Sequence, residues 1–148
     1  MDPVTQGLAG ALAAQFSARK REEYRTATLV GALAGMAPDL DVLVYSASDP
    51  LLQLEFHRQF SHSLLFIPFG AALVAGICYG LFRKQYPFPK LYLFALIGMT
   101  TAGFLDVWTS YGTQLFWPFS DHRFAWNLVS VFDPFFSVIL GLAVITST

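Results

Sequence analysis

The chain is organised around a short polar stretch that reads EFHRQFSHS (residues 55–63). It holds two of the three histidines, His57 and His62, and an apolar run that extends to Phe82 follows it directly. Neutral imidazole is the commonest metal ligand in proteins. A polar cluster beside a membrane-length apolar segment is costly, and is usually kept because it has a function. The stretch therefore predicts a site at one end of a set of apolar helices.

The composition is that of a membrane protein. Of the 148 residues, 55% are hydrophobic and only 13% are charged, whereas soluble domains carry about 25% charged residues. We therefore expect an all-α polytopic membrane bundle, a single domain over residues 1–148, with membrane lipids as partners. The formal net charge of -1 gives no support for a nucleic-acid partner, and none is expected. The single Cys78 excludes an internal disulfide and a cysteine-based zinc cluster.

Hydropathy predicts about five apolar segments. They cover approximately residues 3–18, 26–45, 62–82, 91–108 and 129–145. Asp2 and Pro3 predict the start of the first helix, because Asp is a good N-cap and Pro is favoured at the first helical position. Asp133 and Pro134 are expected to start the last helix in the same way.

A break is expected within the second segment. Pro38 disfavours helical geometry at the residue before it, and Asp39 and Asp41 follow directly. Broken backbone at membrane depth is tolerated only where it faces protein or a watery cavity, so these carboxylates indicate a site. In the connector of residues 46–61, Ser61 is expected to cap a third helix that begins near His62.

The basic residues predict the orientation. Seven of the nine Lys and Arg residues lie in the first and third connectors: Arg19, Lys20, Arg21, Arg25, Arg83, Lys84 and Lys90. With alternating spans these connectors share one side, and the positive-inside rule makes that side cytoplasmic. The 38–41 segment, the 55–63 stretch and Asp106 then share the opposite, non-cytoplasmic face.

These polar residues are candidates for a divalent metal site. The candidate ligands are Asp39, His57, His62 and Asp106. Imidazole nitrogen with carboxylate oxygen suits zinc, manganese or iron, and zinc is the first expectation. Asp41 is expected to be a further ligand or a general base. Arg58 is expected to steady an anionic substrate, since guanidinium binds phosphate or carboxylate.

Simpler interpretations exist for several of these residues. Asp39 and Asp41 would also be explained as caps of a broken helix. Arg58 and Arg123 would also be explained by contact with lipid headgroups. His122 is expected to be a surface residue. Asp106 is harder to explain in this way, because an acid inside an apolar span is a functional site by default.

Five sequence pieces together resemble a known family. They read DPVTQG (2–7), PDLD (38–41), HRQFSHS (57–63), LDVWTSYG (105–112) and LFWP (115–118). They are similar to the YdjM-type, LexA-regulated membrane-bound proteins, a family described as metal-dependent hydrolases, and the match covers most of the chain. The resemblance implies a helical inner-membrane protein with a divalent-metal site. The chain is more distantly similar to the His-x-x-x-Asp helix of zinc-dependent phospholipase C enzymes.

Two positions depart from the family pattern. The pattern has His where this chain has Gln6, and His four residues before Asp106, where this chain has Ala102. The loss of these imidazoles would remove one metal of a multinuclear site or abolish metal binding altogether. The remaining candidates are still sufficient to hold one ion with an open coordination position, as catalytic sites require.

The favoured function is metal-dependent hydrolysis of a phosphoester or lipid-derived substrate at the non-cytoplasmic face of the inner membrane. Two alternatives remain open from the sequence. One is a catalytically impaired family member with a degenerate metal site. The other is a proton or ion pathway protein in which Asp106 carries the charge.

Overall fold

The structure, a computed structural model, describes residues 1–43 and 57–147, and its regular secondary structure in these ranges is helical. The five α-helices are α1 (Pro3–Ser17), α2 (Tyr24–Met36), α3 (Ile67–Phe82), α4 (Phe88–Val107) and α5 (Pro134–Ser147). A 3₁₀ turn, Arg21–Glu23, precedes α2, and a 3₁₀ helix, Ala37–Leu43, follows it. No strand occurs in the described ranges, which confirms the all-α class there. The predicted end of the second segment at residue 45 and most of the 46–61 connector lie outside the described residues.

The starts of α1 and α5 follow the predicted Asp-Pro pattern. Asp2 Oδ1 accepts a hydrogen bond from the Thr5 amide at 3.0 Å, and Pro3 is the first helical residue. Asp133 Oδ1 accepts from the Phe136 amide at 3.0 Å, one residue before α5 begins. In both cases the carboxylate satisfies an amide that has no partner within the helix. Both predicted helix starts are confirmed.

The predicted break in the second segment is also confirmed. α2 ends at Met36, and the chain continues as the 3₁₀ helix that contains Pro38. In this tighter helix Asp39 and Asp41 are both buried, whereas Leu40 between them is 62% exposed. The break thus turns two carboxylates towards the interior of the protein.

The predicted start of the third helix is wrong. It was expected near His62 with Ser61 as its cap, but α3 begins at Ile67 and the preceding residues from 57 onward form turns. The Ser61 hydroxyl donates to Asp41 instead. Ser63 supplies the local turn, because its carbonyl accepts from the Ile67 amide at 3.1 Å. His62 therefore lies outside the helix, and the direction of its side chain cannot be predicted from helical periodicity.

Glycines bring three helices into backbone contact. A Cβ atom at Gly31 of α2 would collide with the carbonyl oxygen of Gly10 in α1, and one at Gly98 of α4 would collide with the carbonyl oxygen of Gly31. A Cβ at Gly35 would lie 2.5 Å from the carbonyl oxygen of Gln6. Small residues of this kind permit close packing of membrane helices. The packing places the start of α1, the end of α2 and the end of α4 at one end of the bundle.

The basic connectors meet at the other end. Lys90 Nζ lies 2.8 Å from Glu23 Oε2, and the Tyr86 hydroxyl donates to the Glu22 carbonyl at 3.0 Å. These contacts join the connector before α2 to the connector before α4. The structure therefore separates the basic connectors from the polar groups at residues 38–41 and 106, as the charge pattern predicts.

Within residues 1–43 and 57–147, two helical segments are long and apolar enough to cross a membrane. They are Arg21–Leu43, which combines α2 with its flanking 3₁₀ segments, and Phe88–Val107. The helices α3 and α5 are apolar but shorter. Several apolar side chains of α5 are exposed, with Phe135 85% exposed and Ile145 71% exposed, whereas Val144 is buried. The number of five spans stays a prediction.

Candidate metal centre

Three of the four predicted ligands converge in the interior. Asp39, His62 and Asp106 each offer an atom within 4.8 Å of the others, and all three side chains are buried. The Nε2 atom of His62 lies 2.9 Å from Asp106 Oδ2 and 3.4 Å from Asp39 Oδ1. The residues come from the 3₁₀ helix after α2, the turn before α3 and the last turn of α4. They are 23 and 44 residues apart in the sequence, so only the helix packing brings them together.

The protonation of His62 is fixed by its neighbours. Asp41 Oδ2 accepts the Ser61 hydroxyl hydrogen at 2.5 Å. A hydroxyl has one hydrogen, so Ser61 can only accept from the ring of His62, whose Nδ1 lies 3.0 Å away. The Nδ1 atom of His62 therefore carries the hydrogen, and its Nε2 presents a lone pair to Asp39 and Asp106.

A lone pair facing two carboxylates is repulsive unless a cation lies between them. A second proton on His62 or a metal ion would supply one; burial lowers the pKa of His62 and opposes the proton, whereas Asp39 and Asp41 act in the other direction. Among the described residues, His62 Nε2 and Asp39 Oδ2 are buried without a hydrogen bond of good geometry, and Asp106 Oδ1 has only its ion-pair contacts with the Met1 amine and Arg58. These atoms have the donor chemistry that a divalent cation requires, so the residues present fit a metal ion.

His57 lies beside this group, and its partner is Asp41. The Nδ1 atom of His57 is 2.7 Å from Asp41 Oδ1, and its ring centre is 6.4 Å from that of His62. A carboxylate can only accept, so Nδ1 of His57 also carries the hydrogen. The side chain of His57 is 25% exposed, whereas that of Asp41 is fully buried. The roles of His57 as a ligand and of Asp41 as a ligand or base stay predictions.

Arg58 is a buried cation at the edge of the group. Its side chain is only 3% exposed, and its Nη1 lies 3.3 Å from Asp106 Oδ1 and 3.2 Å from the Thr109 hydroxyl. Burial lowers the pKa of Arg58, although guanidinium stays charged in proteins. Its backbone is left-handed, with φ 61°, and is held there because its amide donates to Asp41 at 2.9 Å. Its guanidinium carbon also lies 5.0 Å from the centre of the Tyr111 ring.

Gln6 is also within the cluster. Its side chain is fully buried, and its Nε2 donates to Asp106 Oδ2 at 3.1 Å and lies 3.5 Å from Asp39 Oδ1. The amine of Met1 contacts Asp106 Oδ1. The resemblance marks position 6 as a lost imidazole, and the structure places an amide there. The other departure, Ala102, is a buried residue of α4 one turn before Asp106.

A surface cavity borders the cluster at Asp39. It has a volume of about 250 Å³, and Asp39, His57 and Arg58 line it. Its other lining includes the apolar side chains of Val42 and Val131. The cavity is therefore lined by one candidate metal ligand, by one partly exposed imidazole and by one arginine.

The two remaining polar candidates lie farther out. His122 is exposed, as predicted for a surface residue. Arg123 is partly buried, and its guanidinium carbon lies 4.8 Å from the centre of the Tyr111 ring, which Arg58 also contacts.

The sequence does not predict the role of Ser61 as the link between Asp41 and His62, because its position favours a helix cap. Its position directly before a histidine is the available signal, because a hydroxyl there can reach the imidazole.

Comparison with known proteins identifies the family. A family model described as YdjM inner membrane protein matches residues 1–148, the whole chain. The chain belongs to the YdjM inner membrane protein family. This confirms the resemblance of the five sequence pieces, and the family name states an inner-membrane location.

Two curated relatives match the chain. It is 36% identical over 110 residues to an uncharacterized protein, YfhP, of Bacillus subtilis, and the match covers 74% of this chain and 33% of the relative. It is 30% identical over 107 residues to the inner membrane protein YbcI of Escherichia coli, over 68% of this chain and 60% of the relative. The chain thus spans about a third of one relative's length and three-fifths of the other's. No solved structure matches the chain significantly.

Proposed function

We propose that this YdjM-family chain is a membrane-bound, metal-dependent hydrolase whose ion is held by Asp39, His62 and Asp106. The proposal depends chiefly on one observation: His62 Nε2 lies 2.9 Å from Asp106 Oδ2 and 3.4 Å from Asp39 Oδ1, while its Nδ1 is 3.0 Å from the Ser61 hydroxyl. The Ser61 and Asp41 relay behind the ring resembles the outer-shell carboxylate–histidine pairs that orient metal-binding imidazoles. When bound, a divalent ion supplies the acidity that lowers the pKa of water and polarises a phosphoryl or acyl oxygen. Zinc, manganese and iron are all compatible with these donors.

The residues around the cavity supply the remaining requirements of hydrolysis. Arg58 binds the anionic part of the substrate, because this residue lines the cavity and its guanidinium stays charged. His57 holds or releases a proton at Nε2, since its Nδ1 is occupied by Asp41 and its ring is partly exposed to the cavity. In this arrangement Asp41 acts through the two histidines that it orients.

The position of the cavity supports the proposed substrate class. We place the site at the non-cytoplasmic face of a multi-pass inner-membrane bundle, at the end away from the basic connectors. A phosphoester or other lipid-derived anion at headgroup level would reach Arg58 and keep its apolar part beside Val42 and Val131. Membrane lipids are accordingly the proposed partners.

The test is metal binding by purified protein in detergent. Wild type, His62→Ala, Asp106→Asn and the double variant are titrated with zinc and with manganese, and folding is followed by circular dichroism. Each single variant should lose more affinity than the roughly 10–100-fold typical of outer-shell groups, and the double variant should lose little more, because the residues share one ion. His122→Ala, an exposed histidine, is the matched control and should bind as wild type.

Two results would redirect the interpretation. Wild-type protein that binds neither metal would refute the metal-dependent hydrolase and favour an impaired family member. Metal binding without hydrolysis of phosphoester lipids, together with ion flux in proteoliposomes that Asp106→Asn abolishes, would favour the ion pathway. Hydrolysis that requires metal and proceeds without flux supports the proposal.

A further inference from the structure

We infer that Gln6 is itself a ligand of the proposed ion, through its amide oxygen, and that it shifts the preference of the site from zinc towards manganese. This inference goes beyond the proposed function but depends on its metal site. Position 6 does not follow the imidazole pattern of the family resemblance, so the ligand is a property of this chain.

The first argument is the position of the amide. Gln6 Nε2 lies 3.1 Å from Asp106 Oδ2 and 3.5 Å from Asp39 Oδ1. Those two oxygens are also the ones that His62 Nε2 approaches. The amide nitrogen, a group with partial positive charge, therefore lies where the ligand atoms converge, and a cation there would have it as a direct neighbour.

The second argument is the unsatisfied end of the same side chain. Gln6 is fully buried, and its Oε1 has no hydrogen-bond partner among the described residues, whereas its Nε2 has three acceptors within 3.5 Å. A buried carbonyl oxygen without a partner is costly, because it has lost its hydrogen bonds to water. A half-turn of the amide plane exchanges the two ends and presents Oε1 to a cation. The cation would thus satisfy Oε1 and take over the Asp39 and Asp106 oxygens that Nε2 now contacts, while Nε2 would turn to the side where Oε1 lies at present.

The third argument is the resulting donor set. Asp39, Asp106 and Gln6 would supply three oxygens, and His62 one nitrogen. Carboxylate and carbonyl oxygens suit manganese and magnesium, whereas imidazole and thiolate favour zinc. A histidine at position 6 would give two nitrogens and two oxygens instead. Gln6 is therefore the residue that sets the balance between these metals.

The experiment compares manganese and zinc affinities, each measured by titration of the purified full chain in detergent. Gln6→Leu should weaken manganese binding at least tenfold, and zinc binding less. Gln6→His should raise the ratio of zinc to manganese affinity at least tenfold. The control is Gln15→Leu in the same helix, because Gln15 is also buried but its Nε2 donates to Thr28 Oγ1 at 2.7 Å, away from the cluster. It should leave both affinities unchanged.

Gln6→Glu separates a ligand role from a structural one. Glutamate keeps the oxygen and the shape but loses the amide hydrogens, so it should bind manganese at least as tightly as wild type. If the amide only holds the carboxylates together through its hydrogens, the variant will bind less metal, and the inference is wrong. It is equally wrong if folded Gln6→Leu binds manganese as wild type does. Should Gln6→Leu not fold, the glutamate and histidine variants decide.

Failure of the inference is distinct from failure of the proposed function. Wild-type protein without affinity for either metal would overturn both. A wild type that binds metal through His62 and Asp106, with affinities that Gln6 substitutions leave unchanged, would overturn the inference alone.

Discussion

At the scale of single residues, Asp41 connects the two histidines. Its carboxylate accepts from His57 Nδ1, from the Arg58 amide and from the Ser61 hydroxyl. Through Ser61 it also sets the protonation of His62. One carboxylate thus fixes the tautomers of both imidazoles, although it contributes no atom to the group of Asp39, His62 and Asp106.

Asp41→Asn should therefore weaken metal binding while leaving the three proposed ligands in place. The asparagine amide offers one acceptor oxygen, so at least one of its three donors must lose its partner or compete for it. Outer-shell losses of this kind cost roughly 10–100-fold in metal affinity, and an unpaired buried donor costs about 1–3 kcal/mol of stability. Metal titration and thermal unfolding measure the two effects. Asp121→Asn, at an exposed position, is the control; unchanged metal affinity in Asp41→Asn would contradict the relay.

The sequence could identify these residues but not their partners. Carboxylates and imidazoles within an apolar chain pointed to Asp39, His62 and Asp106, and the structure brings the three together. Ser61 and Asp41 are twenty residues apart in the sequence. Hydropathy does not predict their hydrogen bond, because most of the sequence between them has no periodic pattern. The presence of the Gln6 amide in the cluster depends on helix packing distances, which residue type alone does not give.

At the scale of elements, glycine contacts set the distances within the cluster. Gly10, Gly31 and Gly98 let the backbones of α1, α2 and α4 touch. These helices carry or precede three groups of the cluster: Gln6 at the start of α1, the 3₁₀ helix after α2 and Asp106 at the end of α4. A change in helix spacing would therefore move the candidate ligands apart.

Gly31→Ala tests this link. The new methyl group meets the carbonyl oxygen of Gly10, so the helices must separate; overpacking of this kind typically costs about 1–3 kcal/mol. Metal affinity should fall together with the unfolding temperature. The matched control is Gly76→Ala in α3, where an added Cβ meets nothing within 4 Å. It should be neutral or stabilise the helix by up to about 1 kcal/mol, because Ala is the better helix former. If both variants keep wild-type metal affinity, helix spacing does not control the site.

Helix identity could be predicted more readily than helix boundaries. The Asp-Pro starts and the Pro38 break were predictable because each depends on chemistry local to two or three residues. The start of α3 was not, since the apolar run already begins beside His62 while the first helical residue is Ile67. There the tertiary bond from Ser61 to Asp41 replaces the predicted cap.

At the scale of the whole molecule, charge and polarity divide the two ends of the bundle. Lys90 and Glu23 pair at one end, where the basic connectors meet. The buried acidic and imidazole groups lie at the other end, at the last turn of α4. In a membrane this division would determine both the orientation of the chain and the side from which a substrate enters.

The orientation can be tested with topology reporters. A reporter fused after Lys84, in the connector before α4, should lie in the cytoplasm, because this connector and the one before α2, together with the first turns of α2 and α4, hold seven of the nine Lys and Arg residues. A reporter inserted near Ser120, beyond the end of α4, should lie outside. The measurement is paired alkaline phosphatase and green fluorescent protein activity at each position. Substituting Arg83 and Lys84 by Gln in the first fusion should weaken the bias and serves as the internal control. The reverse pattern would place the cavity beside Arg58 on the cytoplasmic side, and the substrate would then have to be a cytoplasmic anion.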